Sequence, residues 1–210
     1  MALFTDPEVV TLDDLLLFEN SIGQVASIHG IDVDAKIALA TSEIAQRLRL
    51  WLLAQSPYEP KWPGSRANRK LLDLGTVVVT SALQRWLCTH SLAKVFAEAY
   101  NLQLNTRFQA KWAEYRQAAA NSADIAFQAG LGIALNPLPK PPMPLLSVQT
   151  GSLPAQSIFI QTTWADDKGN EGAPSDENSF ALGDGSSVTV AILANTASIP
   201  AAAAGWNVYG

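Results

Sequence analysis

The sequence predicts an α+β protein in two separate domains, an N-terminal all-α helical bundle with one long helix and a C-terminal small antiparallel β-sandwich. Three observations predict it. Upstream of residue 130, apolar side chains recur at helical spacing. Downstream of Pro144 they recur at every second position. Between them lies "NPLPKPPMP", residues 136–144, with five prolines in eight residues. Each proline fixes φ and lacks an N–H, which excludes a helix or a central strand there.

The elements follow in order. Thr11 with Asp14 has the form of a capping box, with Asp in the usual Glu position, and opens a helix carrying Leu12, Leu15, Leu16, Ile22 and Val25. Gly30 stops it, and Asp32 or Asp34 is the next N-cap. The second helix reaches about Ala54 and puts Ile37, Ile44, Leu48 and Trp51 on one face. A loop, "QSPYEPKWPGSRANRK", follows with three prolines and a glycine. A third helix is expected over 71–88, although Gly75 and "TVVVT" lower its propensity. Ser91 is the expected cap of a fourth. From Leu92 to Ala129 there is neither proline nor glycine, so one helix of ~57 Å is expected at ~1.5 Å per residue. Its Phe96, Tyr100, Leu104, Phe108 and Trp112 recur every four residues and wrap around the cylinder.

These helices make residues 1–136 the first domain. Residues 137–144 read as a semi-rigid spacer, and residues 145–210 as the second domain. In "SIFIQTTWA", Ile158, Ile160, Thr162 and Trp164 share one face, with Gln161 and Thr163 on the other. In "SVTVAILA", Val188, Val190 and Ile192 share a face. Turn-rich "DDKGNEGAPSDENS" and "LGDGS" separate these strands.

Composition bounds the function. The chain has 210 residues, 48% hydrophobic and 16% charged, enough apolar content to bury a core. Residues 1–144 carry 13 Lys/Arg against 13 Asp/Glu, and residues 145–210 one Lys against six acids. Neither part is a basic nucleic-acid binder. No apolar run reaches the ~18 residues of a membrane helix, and "MALFTDPEVV" lacks the basic and apolar regions of a signal peptide. The lone Cys88 excludes an internal disulfide and a cysteine-rich zinc site.

The search for chemistry returns no catalytic, cofactor-binding or metal residue. His29 and His90 do not stand in a metal-ligand spacing, and Cys88 and His90, two residues apart, point to different helix faces. "GLG" at Gly130–Gly132 lacks the other glycines of a phosphate loop and reads as a helix C-cap. Asp166, Asp167, Asn170 and Glu171 read as a hairpin turn before a calcium loop. The candidate contact surface is the long loop. There Tyr58 and Trp62 are interleaved with Lys61, Arg66, Arg69 and Lys70, a composition suited to a partner protein or a phosphate backbone.

"RWL", "LAKVFAEAYNLQLNTRFQAKW" and "GLGIALNPLP", after helices opening at "TLDDLL" and "DVDAKI", resemble the helical core of head-to-tail adaptor (connector, or head-completion) proteins of tailed bacteriophages. The likeness covers residues 8–140. "FIQTTWADDKGNEGAPS" and "IPAAAAGWNVY" are similar to stretches of fibronectin type III or immunoglobulin-like modules appended to phage structural proteins. The resemblance implies a non-enzymatic virion protein of the head–tail neck, made in the host cytoplasm. It implies a homo-oligomeric ring of about twelve copies, bound to the portal and to a downstream neck or tail protein. Packaged DNA would pass through its lumen without sequence-specific contacts, and no membrane or cofactor is involved. The near-neutral helical part is compatible with such a lumen.

For the second domain, the β-sandwich core is expected from Ile158, Ile160, Trp164, Val188, Val190, Trp206 and Val208, the last two on the penultimate strand. The family's tyrosine corner would fall near Trp206, which has no hydroxyl to make its hydrogen bond. Residues 145–210 offer five or six strands, against the ~100 residues and seven strands of an immunoglobulin domain. Three readings of that shortfall stand: a reduced sandwich, a strand donated by a neighbour, or a chain that continues beyond Gly210, which is the expectation. Two competing functions stand beside the adaptor. One is another phage tail, baseplate or surface protein whose immunoglobulin-like module binds carbohydrate or a partner protein, with Trp164, Trp206 or Tyr209 exposed. The other is a small hydrolase using Cys88 and His90.

Overall fold

The computed structural model describes residues 2–55, 73–103, 106–192 and 199–210. The protein is α+β, with five α-helices and antiparallel sheets among the described residues. Its contacts divide it into two compact units, residues 8–133 and residues 1–7 with 134–210.

The first unit is helical. Helix α1 (Leu12–Phe18) opens on the Thr11–Asp14 capping box, in which the Thr11 N–H donates to Asp14 Oδ2 at 2.8 Å. The expected single opening helix is two. The chain leaves α1 at Glu19 in extended backbone, and α2 (Ile22–His29) begins after Ser21. Gly30 closes α2 at φ +63°, a left-handed conformation that glycine adopts without a Cβ penalty. Helix α3 (Val33–Gln55) is capped by Asp32, whose Oδ1 accepts the Ala35 N–H at 3.0 Å.

Gly75 and its valines do not form the expected helix over 71–88. The β-branched run instead makes a 3₁₀ turn (Leu74–Thr76) and the two-residue strand β1 (Val77–Val78). Helix α4 (Ser81–Gln103) starts from Thr80, whose Oγ1 accepts the Leu83 N–H, and continues through His90. Ser91 is therefore not a cap but a fully buried position in mid-helix.

Nor is there one long helix over 92–129. The segment holds the end of α4 and all of α5 (Thr106–Ala129). The aromatic series explains the doubling back. Phe96 stacks on Tyr115 at 5.5 Å, Tyr100 on Trp112 at 6.0 Å, and Trp86 meets Phe127 edge-on at 5.4 Å. These pairs run in opposite directions along the two helices, so α4 and α5 are antiparallel. In one straight helix Phe96 and Tyr115 would lie ~28 Å apart. Antiparallel packing instead buries Trp86, Phe96 and Tyr115 and half-buries Tyr100, Trp112 and Phe127, at roughly 1.5–3 kcal/mol per fully buried large side chain. Strand β2 (Gly132–Ile133) then pairs antiparallel with β1, joining the segments before α4 and after α5. Leu15, Ile22, Ile44, Leu48, Leu83 and Leu87 complete the core.

The second unit is β-rich. Strands β3 (Leu145–Leu153) and β6 (Ser186–Ala191) form one antiparallel pair. Strand β4 (Gln156–Ala165) lies between β5 (Asn178–Leu182) and β7 (Gly205–Tyr209) in a three-stranded antiparallel sheet. Leu3 and Phe4 are buried here, and the Asp6 carboxylate accepts the Lys140 N–H at 2.9 Å. The proline-rich run, expected as a spacer, packs within the unit: Leu138, Pro141 and Pro144 are buried.

Of the expected sandwich core, Ile160 and Trp164 are buried, and Ile158, Val188 and Val190 are half-buried. Trp206 and Val208 are not core. They are 40% and 45% exposed because, among the described residues, β7 pairs with β4 alone and every one of its residues is exposed. Alternation correctly puts them on the face of Trp164 and Thr162, their cross-strand partners, but period alone does not tell a central strand from an edge.

Candidate functional site

The most concentrated polar geometry of the β unit sits where β4, β7 and the turn after β4 meet. The turn is built by its own sequence. Asp166 Oδ1 accepts the N–H groups of Lys168 and Asn170 at 2.9 and 2.7 Å, and the Asp166 carbonyl accepts the Gly169 N–H at 3.2 Å. Gly169 takes φ +79°, the left-handed position that such a turn reserves for glycine. The Asp166–Asn170 segment is thus the hairpin turn, with its carboxylate bonded by two backbone N–H groups and by the Asn170 side-chain amide. Among the described residues, no three His, Cys, Asp or Glu side chains are grouped to hold a metal ion.

The turn delivers Glu171 back beside Ala165 in a bridge. The Glu171 carboxylate then accepts three side-chain hydrogen bonds: from Thr163 on β4 at 2.6 Å, and from Asn207 and Tyr209 on β7 at 2.7 and 2.6 Å. Those donors, the Thr163 hydroxyl first, hold its pKa below the usual carboxylate range. The same bond to Glu171 raises the Tyr209 phenol. Tyr209 keeps 48% of its surface exposed. A fixed carboxylate, an amide and a half-exposed ring can hydrogen-bond and stack on a polyhydroxylated ligand. An acid held ionised does not serve as a proton donor near neutrality. Next to it, Leu3, Leu138, Asn136, Asp166, Lys168 and Glu171 are among the residues lining a cleft of about 270 Å³.

Among its described residues the helical unit holds two ionic clusters, beside the Lys36–Glu98 pair. Glu19 accepts from Ser21 at 2.7 Å, Tyr115 at 3.1 Å and Lys111 at 2.9 Å. Burial opposes its ionisation, but these bonds and the Lys111 charge outweigh it, and its pKa falls to about 2. Burial and the Glu19 charge push the Tyr115 phenol up. On α3 and α4, Glu43 bonds His90 Nε2 at 2.7 Å and Lys94 Nζ at 2.6 Å. Burial dominates His90 and lowers its pKa, so the neutral ring bonds Glu43 as the Nε2–H tautomer. Cys88 is buried, and desolvation, with the Asp14 charge second, pushes its thiol up to about 12. A thiolate nucleophile is therefore disfavoured at that position.

The contact residues expected from the sequence, Tyr58, Lys61, Trp62, Arg66, Arg69 and Lys70, lie outside the described residues. Sequence reasoning missed the Glu171 cluster as a unit. Its signal was the polar phase of two strands, Thr163 in one and Asn207 with Tyr209 in the other, but their pairing spans more than 40 residues of chain. The helical clusters had half a signal each: Lys111 with Tyr115 and His90 with Lys94 are i, i+4 pairs, while their acids come from other helices. Comparison with protein-family models, with curated proteins and with solved structures finds no match.

Proposed function

We propose that the protein is a structural assembly component, a head-to-tail adaptor of a tailed bacteriophage that forms a ring below the portal. In this reading the ring extends the DNA channel and offers a platform to the neck or tail, and the β unit is a reduced immunoglobulin-like appendage. One observation supports it above the others. The helical unit, which spans nearly the same residues as the resemblance, leaves large apolar side chains in solvent: Leu17 is 83% exposed, Leu50 and Leu53 each 68%, and Ile28 66%. On α3, Leu39, Leu50 and Leu53 fall within about 60° of one another around the helix axis. An apolar stripe of that kind marks a surface meant for another protein.

Native mass spectrometry and negative-stain imaging test the proposal. The expected result is a closed ring that the triple variant Leu39→Glu, Leu50→Glu, Leu53→Glu converts to monomers with helical circular dichroism unchanged. A chain that stays monomeric at high concentration, and is absent from virions, overturns it.

Exposure of Tyr209 and Trp206 favours one second reading, in which the β unit binds carbohydrate. Glycan-array binding that disappears in Tyr209→Ala would support it, and an array without signal would remove it.

A further inference from the structure

We infer that copies of this chain join head to tail through two different faces of the helical unit, the α1–α2 face of one copy seating on the C-terminal half of α3 in the next. The inference rests on the proposed self-assembly and assigns the two faces that make it.

Charge is divided within the helical unit. Residues 8–35, which hold α1 and α2, carry six acids and no Lys or Arg. The described residues from 36 to 133 carry eight Lys or Arg against five acids. Each part leaves large apolar side chains in solvent. On α1 and α2, which touch, these are Leu17, Phe18 and Ile28, with the exposed Asp13 one turn before Leu17. On the C-terminal half of α3 they are Leu50 and Leu53, and the exposed Arg47 and Arg49 fall on either side of them around the helix. No acid follows Glu43 within α3.

The two faces lie apart. Helix α3 starts at Val33, just after α2, so Leu53 stands ~30 Å further along its axis. Over that length α3 runs antiparallel to α4, with Lys36 paired to Glu98, Glu43 to His90 and Lys94, and Arg47 over the Trp86 ring. One copy therefore does not bring its own α3 end onto its own α1–α2 face.

Charge selects the pairing. An α3 face on a second α3 face sets Arg47 and Arg49 against their own copies, and an α1–α2 face on itself sets acids against acids. The α1–α2 face on α3 covers apolar with apolar and sets acids beside arginines. A two-fold contact is thereby disfavoured, and the heterologous contact closes into a ring or runs on as a filament.

Sedimentation velocity and native mass spectrometry of the full-length chain test this with two variants, Leu50→Ser with Leu53→Ser, and Leu17→Ser with Ile28→Ser. Each alone is expected to be monomeric with helical circular dichroism unchanged. Their equimolar mixture is expected to give heterodimers and nothing larger, because a single intact pair of faces remains. Arg47→Glu with Arg49→Glu is expected to weaken assembly at least about tenfold, and added salt to weaken assembly of the wild-type chain. The salt series decides where a serine variant loses its helical signal. Assembly of the Leu17, Ile28 variant as in the wild type would overturn the inference and leave the ring standing, since α3 would then pair with something other than α1–α2. A mixture that stays monomeric, or a wild-type assembly indifferent to salt, would also overturn it. A wild-type chain that stays monomeric at high concentration overturns the inference and the ring together.

Discussion

Glu19 shows how one carboxylate ties three elements. It stands at the end of α1, accepts the Ser21 hydroxyl just before α2, and reaches α5 through Lys111 and Tyr115. Its pKa of about 2 lies below the value of about 4.3 expected in the unfolded chain. The unfolded state thus binds the proton first, and this stabilisation is complete above that value and lost as pH falls towards 2. Glu19→Gln is expected to cost about 1–2 kcal/mol at pH 7, measured by urea unfolding, and to flatten the acid limb of the stability profile.

His90 carries the opposite assignment. Its folded pKa is lowered by burial and by the charges of Lys94 and Arg47, against Glu43. The unfolded ring takes up its proton first as pH drops below about 6.5, so stability declines from there down through the folded value. His90→Gln is expected to remove that decline in thermal melts between about pH 7 and 5. Neither role could be read from the sequence in full. The i, i+4 halves on α5 and α4 were visible in the spacing. The acids that complete them come from helices 47 to 96 residues away in the chain.

At the scale of elements, the α4–α5 pair rests on its ring contacts. Phe96 is 2% exposed and touches Phe108 and Tyr115. Phe96→Ala is expected to cost about 3–5 kcal/mol in chemical unfolding, much more than Tyr100→Ala at the less buried end of α4. The four-residue recurrence of these aromatics was legible, but its meaning was not. A sequence without glycine or proline is compatible with one helix or two, and ring stacking between the two decides.

The β unit has its own close contacts. A Cβ on Gly172 would sit 2.5 Å from the Leu138 carbonyl oxygen, a backbone atom that cannot rotate away. Gly172→Ala is expected to destabilise the sheet by about 1–3 kcal/mol, read from urea unfolding followed by β-sheet circular dichroism. Strand phase along β4 and β7 was legible from alternation. Edge position was not, because it depends on which strands pair, and Trp206 and Val208 were misplaced for that reason.

Across the whole molecule, each compact unit has its own buried side chains: Trp86, Phe96 and Leu92 in the helical unit, Leu3, Ile160 and Trp164 in the β unit. Calorimetry is expected to show two transitions, with Phe96→Ala lowering one and Gly172→Ala the other. A single transition lowered by both substitutions would show that the units unfold as one. The change from helical to strand period was legible in the sequence. The joining of residues 1–7 to the β unit was not, since "MALFTDP" carries no period and its partners lie more than 130 residues on.

The β1–β2 ladder has a mechanical consequence. Val77↔Ile133 and Val78↔Gly132 hold together the two chain ends that enter and leave the α4–α5 pair. Tension drawn through the backbone at those ends loads the ladder as a zipper, one pair after the next, and not in shear along its length. Val77 and Ile133 part first. Because the Val77 side chain is fully buried, parting that first pair already pulls on the packed interior, so the ladder ties the strain on the chain ends to the core of the helical unit.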